Sequence, residues 1–260
     1  MPDQIQFDED QSRAVEWVYS TPDVVEQRRT TLDALGLQAG ERVLDLGCGP
    51  GFLAAEMAEQ VGASGRVDAV DMSPSMLALA ARREHSAGAA PVVLAEGDVT
   101  KLPFGDAQFD AAVSTQVFEY VADMPRALAE VRRVLVDGGR LLIIDTDWDS
   151  IVWRSTDDER MARVLLAWDD HLAHRDLPRR LPQLLREAGY TLESCSVVPM
   201  LNVGYEAATY SGGNLEFIRV YVAGRRDVTE EDAAAWADDL RSMGEDYFFS
   251  LNRYLFVARR

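Results

Sequence analysis

The chain has 260 residues, 47% of them apolar, and a formal net charge of −18. That length holds one large domain and that composition supplies a sizeable core. The charge argues against nucleic acid as a partner, because it repels phosphate backbones; no run approaches the roughly 18 apolar residues of a membrane span; and two cysteines, Cys48 and Cys195, are too few for a disulfide framework or a thiolate metal site.

The start of the chain, "MPDQIQFDEDQ", is acidic and polar, the opposite of a signal peptide, so a soluble, cytoplasmic protein is expected. Residues 8–35 read as mostly helical with a break at "STPD" (20–23). "RVLDL" (42–46) is the first strand and "FLAAEMAEQV" (52–61) a helix; "RVDAVD" (66–71) is the next strand. Ser73 caps the helix "SMLALAARREH", with Pro74 at its first position, where a missing N–H is harmless. "PVVLAEGD" (91–98) and "FDAAVST" (109–115) are strands three and four. Asp123 caps the helix "MPRALAEVRRVL" (124–135), and the turn "DGG" (137–139) leads into strand five, "RLLIID" (140–145). Alternating strands and helices at short spacing predict right-handed βαβ units and a parallel sheet covered on both faces. Near-continuous apolar strands agree with that burial.

Beyond residue 146 the rhythm changes. Helical stretches are expected over 156–173 and 181–188, a strand at "TLESCSVVPM" (191–200), and a looser helix near 205–223. Thr229 opens a capped helix, and "YFFSLNRYLFVARR" closes the chain as a strand that adds an antiparallel edge.

The stretch "VLDLGCGPGFL" (43–53) sets the chemistry. A glycine-rich turn between strand and helix lets a ligand approach the backbone at a helix N-terminus. The turn is not a dinucleotide fingerprint, since Phe52 stands where the third glycine belongs, and it carries no G-K-[ST] of a P-loop. Asp45 at the strand end would repel a pyrophosphate and attract an amino group or a cation. Asp71, at the end of the second strand, suits a grip on two ribose hydroxyls. Asp98 is placed to accept from an adenine amino group, with the Val99 N–H beside it. An adenosine without phosphates, carrying an amino-acid tail and a cation, is S-adenosyl-L-methionine.

These segments, with "AVDMS" and "EGDVTKLPFGDAQFDAAVSTQVFEYVADMPRALAEVRRVLVDGGRLLI", resemble class I S-adenosylmethionine-dependent methyltransferases, specifically the ubiquinone/menaquinone C-methyltransferase-like (type 11) branch. The resemblance covers residues 42–145 and implies an α/β, Rossmann-like seven-stranded sheet of order 3-2-1-4-5-7-6 with strand seven antiparallel. By position it implies that Gly47 and Gly49 line the methionine portion and that Asp71 holds the ribose. Met72 would pack on the adenine, and Thr115 and Gln116 would face the sulfonium. Tyr19 and Arg28, from the helical N-terminus, would close over the cofactor. Tyr120 stands where the family often has histidine. One domain follows: a lid over 1–40, a cofactor core over 41–146, a helical substrate-side insertion over 147–190 and a C-terminal part over 191–260.

The acceptor side rests on "DTDWDSIVW" (145–153), read as a loop after strand five at the edge where ligands sit in open α/β sheets. Asp147 and Trp148 are its candidates for holding an amine or a ring. His171 lies at the edge of an apolar helical stripe and is a candidate general base, with a partly buried structural histidine as the plainer reading; His174 falls off the stripe and should be solvated. Their i, i+3 spacing has no third ligand, so no metal is expected. The function implied is methyl transfer to a small-molecule acceptor, with S-adenosyl-L-homocysteine as by-product, by a monomer or homodimer. A cyclase-like enzyme of the same fold, a quinone-precursor C-methyltransferase, and a non-catalytic binding protein are the alternatives.

Overall fold

A computed structural model describes residues 16–260. The part of the expected N-terminal helix before residue 16, and the polar leader, lie outside the described residues. The first long helix, α1 (Pro22–Leu35), starts at a proline and ends on Gly36, whose left-handed backbone lets its N–H reach the Leu32 carbonyl.

Five parallel strands follow: β1 (Arg42–Leu46), β2 (Arg66–Asp71), β3 (Val92–Glu96), β4 (Phe109–Thr115) and β5 (Leu135–Trp153). Helices α2 (Phe52–Val61), α3 (Pro74–Ala80) and α4 (Met124–Val134) connect them. Ser73 and Asp123 cap α3 and α4 by accepting from the amides of Met76 and Arg126, as expected. The rest comprises α5 (Asp158–Trp168), α6 (Leu177–Glu187), β6 (Thr191–Val203), α7 (Tyr210–Val222), α8 (Glu230–Ser242) and β7 (Phe248–Arg259). The strands form one sheet of order β3-β2-β1-β4-β5-β7-β6, with β7 antiparallel to both neighbours, which is the order the resemblance implied.

Alternation along β5 shows how the sheet divides the core. Leu141 and Ile143 pack with α4 and α6 residues such as Leu128, Val131, Leu181 and Leu185 on one face. Leu142 and Ile144 pack with Leu35 of α1 and Met57 of α2 on the other. A third apolar cluster lies beyond the C-terminal ends of the parallel strands, built from α5, α7 and α8 around Trp153, Trp168, Trp236 and Tyr247. The stretch 147–190 therefore divides: α5 belongs to this cap, and α6 to the main core.

Three local expectations are corrected. Helix α3 stops at Ala80 rather than running through residue 85, because Arg83 turns back to donate to the Pro50 carbonyl and lies 3.6 Å above the Phe52 ring. The helix expected over 156–173 ends at Trp168, and a tight 3₁₀ turn carries Asp169–His171. "DTDWDSIVW" is strand rather than loop: β5 continues to Trp153 and pairs with β7 again after an irregularity between Asp147 and Val152. The Ser150 hydroxyl accepts from the Asn252 amide there, supplying a ladder partner where the backbone bulges. No described helix is long and apolar enough to cross a membrane.

Candidate active site

The glycine loop leaves β1 with its acid enclosed. Gly47 and Gly49 both have left-handed backbones, φ +67° and +51°. A methyl group on Gly47 would collide with Val117, whereas one on Gly49 would meet nothing within 4 Å. Packing thus requires the first glycine, and the second leaves an open side on the loop. Asp45 is buried, and its Oδ2 has no partner. Burial, reinforced by Asp71, pushes its pKa up to about 7. The neighbouring Cys48 thiol is pushed well up by burial and by Asp45, so it stays a thiol and packs in the core.

Asp71 joins the loop to the next strand end. One of its oxygens accepts from the Gly49 amide at 2.8 Å and the other from the Ser73 amide at 2.8 Å. The Met72 amide also bonds this carboxylate, which keeps acceptor capacity beyond these three bonds. Met72 beside it is 56% exposed, a flat apolar surface next to the loop. Asp98 is exposed and folds its own turn by accepting from the Thr100 amide; Val99 is buried behind it.

The other wall comes from β4 and the N-terminal segment. A narrow cleft is lined by Tyr19, Arg28, Gly47, Phe52 and Thr115, among others. Arg28 is buried and bridges two elements: it donates to the Tyr19 carbonyl at 2.6 Å and to Glu56 of α2 at 3.0 Å, with its guanidinium 4.8 Å from the Phe52 ring. Burial pushes the Tyr19 phenol up to about 12. Gln116 is left-handed, φ +58°, a conformation that concentrates at functional sites in non-glycine residues. Its side-chain oxygen accepts from the Thr146 hydroxyl at 2.7 Å, which fixes the strand-four turn against β5.

A buried polar cluster that sequence reasoning missed lies near this cleft. Glu119, Asp145 and Arg253 are all buried. Glu119 Oε2 accepts from the Thr146 amide and the Trp148 indole. Arg253 donates to Gln27 and lies 4.5 Å from the Tyr210 ring. The available signal was Arg253 itself: on β7 it interrupts the buried stripe Phe249, Leu251, Leu255, Val257, and a charge on a buried strand face needs a reason.

The expected acceptor residues are placed differently. The Asp147 carboxylate is clamped by both arms of Arg179, at 2.9 and 3.0 Å, because the β5 pleat turns it toward α6; Asp145 is the acid that faces the interior. Trp148 packs in the cap cluster with its indole N–H on Glu119. His171 is buried among aromatic rings, 3.9 Å from Trp168 and 5.7 Å from each of Trp148, Tyr120 and Tyr221. Desolvation lowers its pKa to about 4, so it is a neutral packing residue and a weak base. Neither Asp147 nor His171 lines the cleft. His174 is half-buried rather than solvated, with Nε2 against the Val121 carbonyl. Among the described residues no group of three or more His, Cys, Asp or Glu could hold a metal ion.

These residues fit S-adenosylmethionine by their own chemistry. A buried carboxylate oxygen without a partner awaits a donor, and the open side of Gly49 admits a ligand against the backbone. Comparison with known proteins agrees. Residues 44–143 match a family described as a methyltransferase domain. The ubiquinone/menaquinone biosynthesis C-methyltransferase UbiE of Erwinia tasmaniensis is 31% identical over 195 residues, 70% of this chain and 73% of that protein. A 2-phytyl-1,4-naphtoquinone methyltransferase of Nostoc punctiforme is 42% identical over 109 residues, 42% of this chain and 47% of that one. The chain spans about half the length of several curated relatives it matches. The [4+2]-cyclase SpnF superposes with a TM-score of 0.61 at 23% identity, over 91% of this chain and 81% of its own, so the architecture by itself does not decide the reaction. Sheet order, matched domain and the Erwinia relative converge: the chain belongs to the class I S-adenosylmethionine-dependent methyltransferases, in the branch of the ubiquinone/menaquinone C-methyltransferases.

Proposed function

We propose that the protein transfers the methyl group of S-adenosyl-L-methionine to a small-molecule acceptor. The observation that carries this is Asp45, a buried carboxylate with one unpartnered oxygen at the mouth of a glycine loop, suited to a ligand that brings a positive charge. When bound, the cofactor supplies an electrophilic methyl on a sulfonium. The chain supplies binding and alignment, which account for much of the barrier lowering in an in-line displacement. Asp71 would hold the ribose, Met72 would cover the adenine, and Asp98 with the Val99 amide would meet its edge. Gly47 and Gly49 would line the methionine portion, Thr115 and Gln116 would face the sulfur, and Tyr19 and Arg28 would close the cleft from the N-terminal side.

The cap cluster and the N-terminal segment would supply acceptor binding, with residues 1–40 as a lid. The net charge of −18 supports a small molecule over nucleic acid, and the low cysteine count supports a reducing, cytoplasmic setting. A quinone precursor is the narrower reading, favoured by the names of the Erwinia and Nostoc relatives. Scattering in solution decides between monomer and homodimer. The functional test is calorimetry with S-adenosylmethionine, followed by mass spectrometry of cell extract incubated with the protein and labelled cofactor. A product one CH₂ heavier supports the reading; binding of NAD in place of S-adenosylmethionine would overturn it.

A further inference from the structure

The far end of the sheet, a ribbon of the last part of β5, the first part of β7 and the last part of β6, has one bare side. The pairing sets its rows: Val152 beside Ser250 beside Leu201, then Phe248 beside Val203. On one side of the ribbon Trp153, Phe249, Leu251 and Met200 are buried in the cap. On the other, Val152 is 55%, Leu201 57% and Val203 68% exposed, and Phe248, Val197 and Pro199 are exposed with them. Helix α6 covers this second side only further along, where Leu181 and Leu185 cluster with Phe256 and Ala258.

A strand wet on one side alternates apolar and polar residues, whereas a strand buried on both sides reads as a nearly continuous apolar run. "VVPMLNV" (197–203) and "FFSL" (248–251) follow the second pattern, yet only one of their sides is covered. Apolar patches beyond roughly 300–600 Å² are rare on monomers, and a standard interface takes about 800 Å² from each partner. The six exposed side chains supply the apolar core of such an area.

Charge selects the occupant. The chain carries −18, yet residues 194–203 and 247–252 contain no charged side chain. The charges bordering the face are held in pairs of opposite sign: Arg154 with Asp246, Arg175 with Asp149, and Arg179 with Asp147 and Asp149. A basic partner would find those acids already taken. A second copy, equally acidic, meets here an apolar and locally neutral surface, and a border of both signs is self-complementary under a two-fold axis. Growth of the sheet along its edge is the poorer contact. Asn252 directs its amide to Ser150 on the β5 side, so Pro199 opposite it directs its missing N–H to the free edge of β6. A ladder continued from copy to copy would lose a bond there.

We propose that two copies of this chain pack face to face through this ribbon, with Val152, Leu201, Val203 and Phe248 at the core of a two-fold interface. The cap of each copy is then backed by the other copy, since Val152 and Trp153 are neighbours on opposite sides of β5.

The test is sedimentation velocity of the whole protein from low to high micromolar concentration. The wild type should pass from monomer to dimer, and added salt should tighten the dimer by screening the net charge. Leu201→Glu and Val152→Arg should each weaken it roughly tenfold or more, with thermal melts of the monomer unchanged, because both side chains are exposed. Leu166→Glu, exposed on α5 and outside the ribbon, should associate as the wild type does. Hydrogen exchange needs no variant: amides of 197–203 should slow as concentration rises. A monomer at every concentration, a dimer indifferent to Leu201→Glu and Val152→Arg, equal disruption by Leu166→Glu, or protection confined to another surface each overturns the proposal. So does a monomeric wild type whose Leu201→Glu variant melts several degrees lower, which would assign the cover to another segment of the same chain. Slowing of 197–203 by polyarginine and never by concentration would assign the face to a basic partner and overturn it as well.

Discussion

The side chain of Asp45 is enclosed and keeps one oxygen without a partner. Its raised pKa, about 7, ties stability to pH. The folded state holds this proton where the unfolded chain, with a carboxyl near 3.9, has lost it. The contribution of this group to stability without cofactor should therefore be full below about pH 4, fall as the pH rises to about 7 and level off above, by at most about 4 kcal/mol, while carboxylates held by arginines, such as Glu41 and Glu130, act in the opposite sense at the acid end. Asp45→Asn should flatten much of that slope in urea unfolding measured across the range; Glu119, raised in the same direction, keeps part of it. A slope unchanged in the variant would mean that the acid titrates normally. The same carboxyl should lose a proton when a cationic ligand arrives, so cofactor binding near neutrality should release protons in the wild type and fewer in Asp45→Asn.

Two neighbouring glycines separate folding from binding. Gly47→Ala puts a methyl into Val117 and should destabilise the fold by about 1–3 kcal/mol. Gly49→Ala has open space around its methyl, so its folding cost is only the left-handed backbone, about 1 kcal/mol. Its larger effect should be on cofactor affinity, roughly tenfold weaker, worth about 1.4 kcal/mol. Thermal melts beside cofactor titrations of the two variants decide it; equal binding losses would show that both glycines serve packing alone. The loop was readable from its residues because each glycine and acid acts locally. Glu119 and Arg253 were not, because their meaning arises only when the β4 turn and the β7 strand are brought together across the sheet.

Helix α1 acts through one side chain. Arg28 ties the Tyr19 carbonyl to Glu56 of α2 beside the Phe52 ring, and Tyr19, Arg28 and Phe52 line the cleft. Arg28→Met should raise the cofactor off-rate about tenfold in stopped-flow displacement, a loss of about 1.4 kcal/mol, while the sheet keeps its stability. An unchanged off-rate would leave Arg28 a structural bridge only. Tyr19 and Arg28 came from the resemblance, but the Glu56 partner did not, since an acid on an exposed helix face has no distinguishing pattern. Strand β5 shows the opposite failure. Its first half reads as an apolar strand; its second half carries polar residues and a bulge that break the period of two, so Asp145–Trp153 looked like a loop while the strand in fact runs into the cap.

At the scale of the molecule, the main core and the cap are separate apolar clusters that share strand ends. Trp236 lies at the centre of the cap, fully buried, 5.4 Å from the Trp153 ring, with its indole N–H on the Met161 sulfur. Trp236→Ala should cost about 3–5 kcal/mol and lower the melting temperature by roughly 10 °C. Cofactor affinity should hold, because none of the glycine-loop residues belongs to that cluster. A parallel loss of affinity would show that cap and cleft are energetically one unit. The sheet order was legible because alternating elements dictate parallel winding; the cap was not, because its helices pair with one another and with strand ends distant in sequence.

The place of β7 has a consequence for how the chain is made. It lies between β5 and β6, and among the described residues β6 has no other strand beside it. While a ribosome is still adding residues 248–259, β6 has already emerged with both backbone edges bare, and β5 shows one open edge as well. Until the last strand slides between them, the nascent protein is a half-closed sheet with sticky borders, the form most open to capture by a chaperone or by another unfinished copy. Synthesis slowed just before residue 248 should lengthen that exposure and lower the soluble yield, although the finished molecule would be identical.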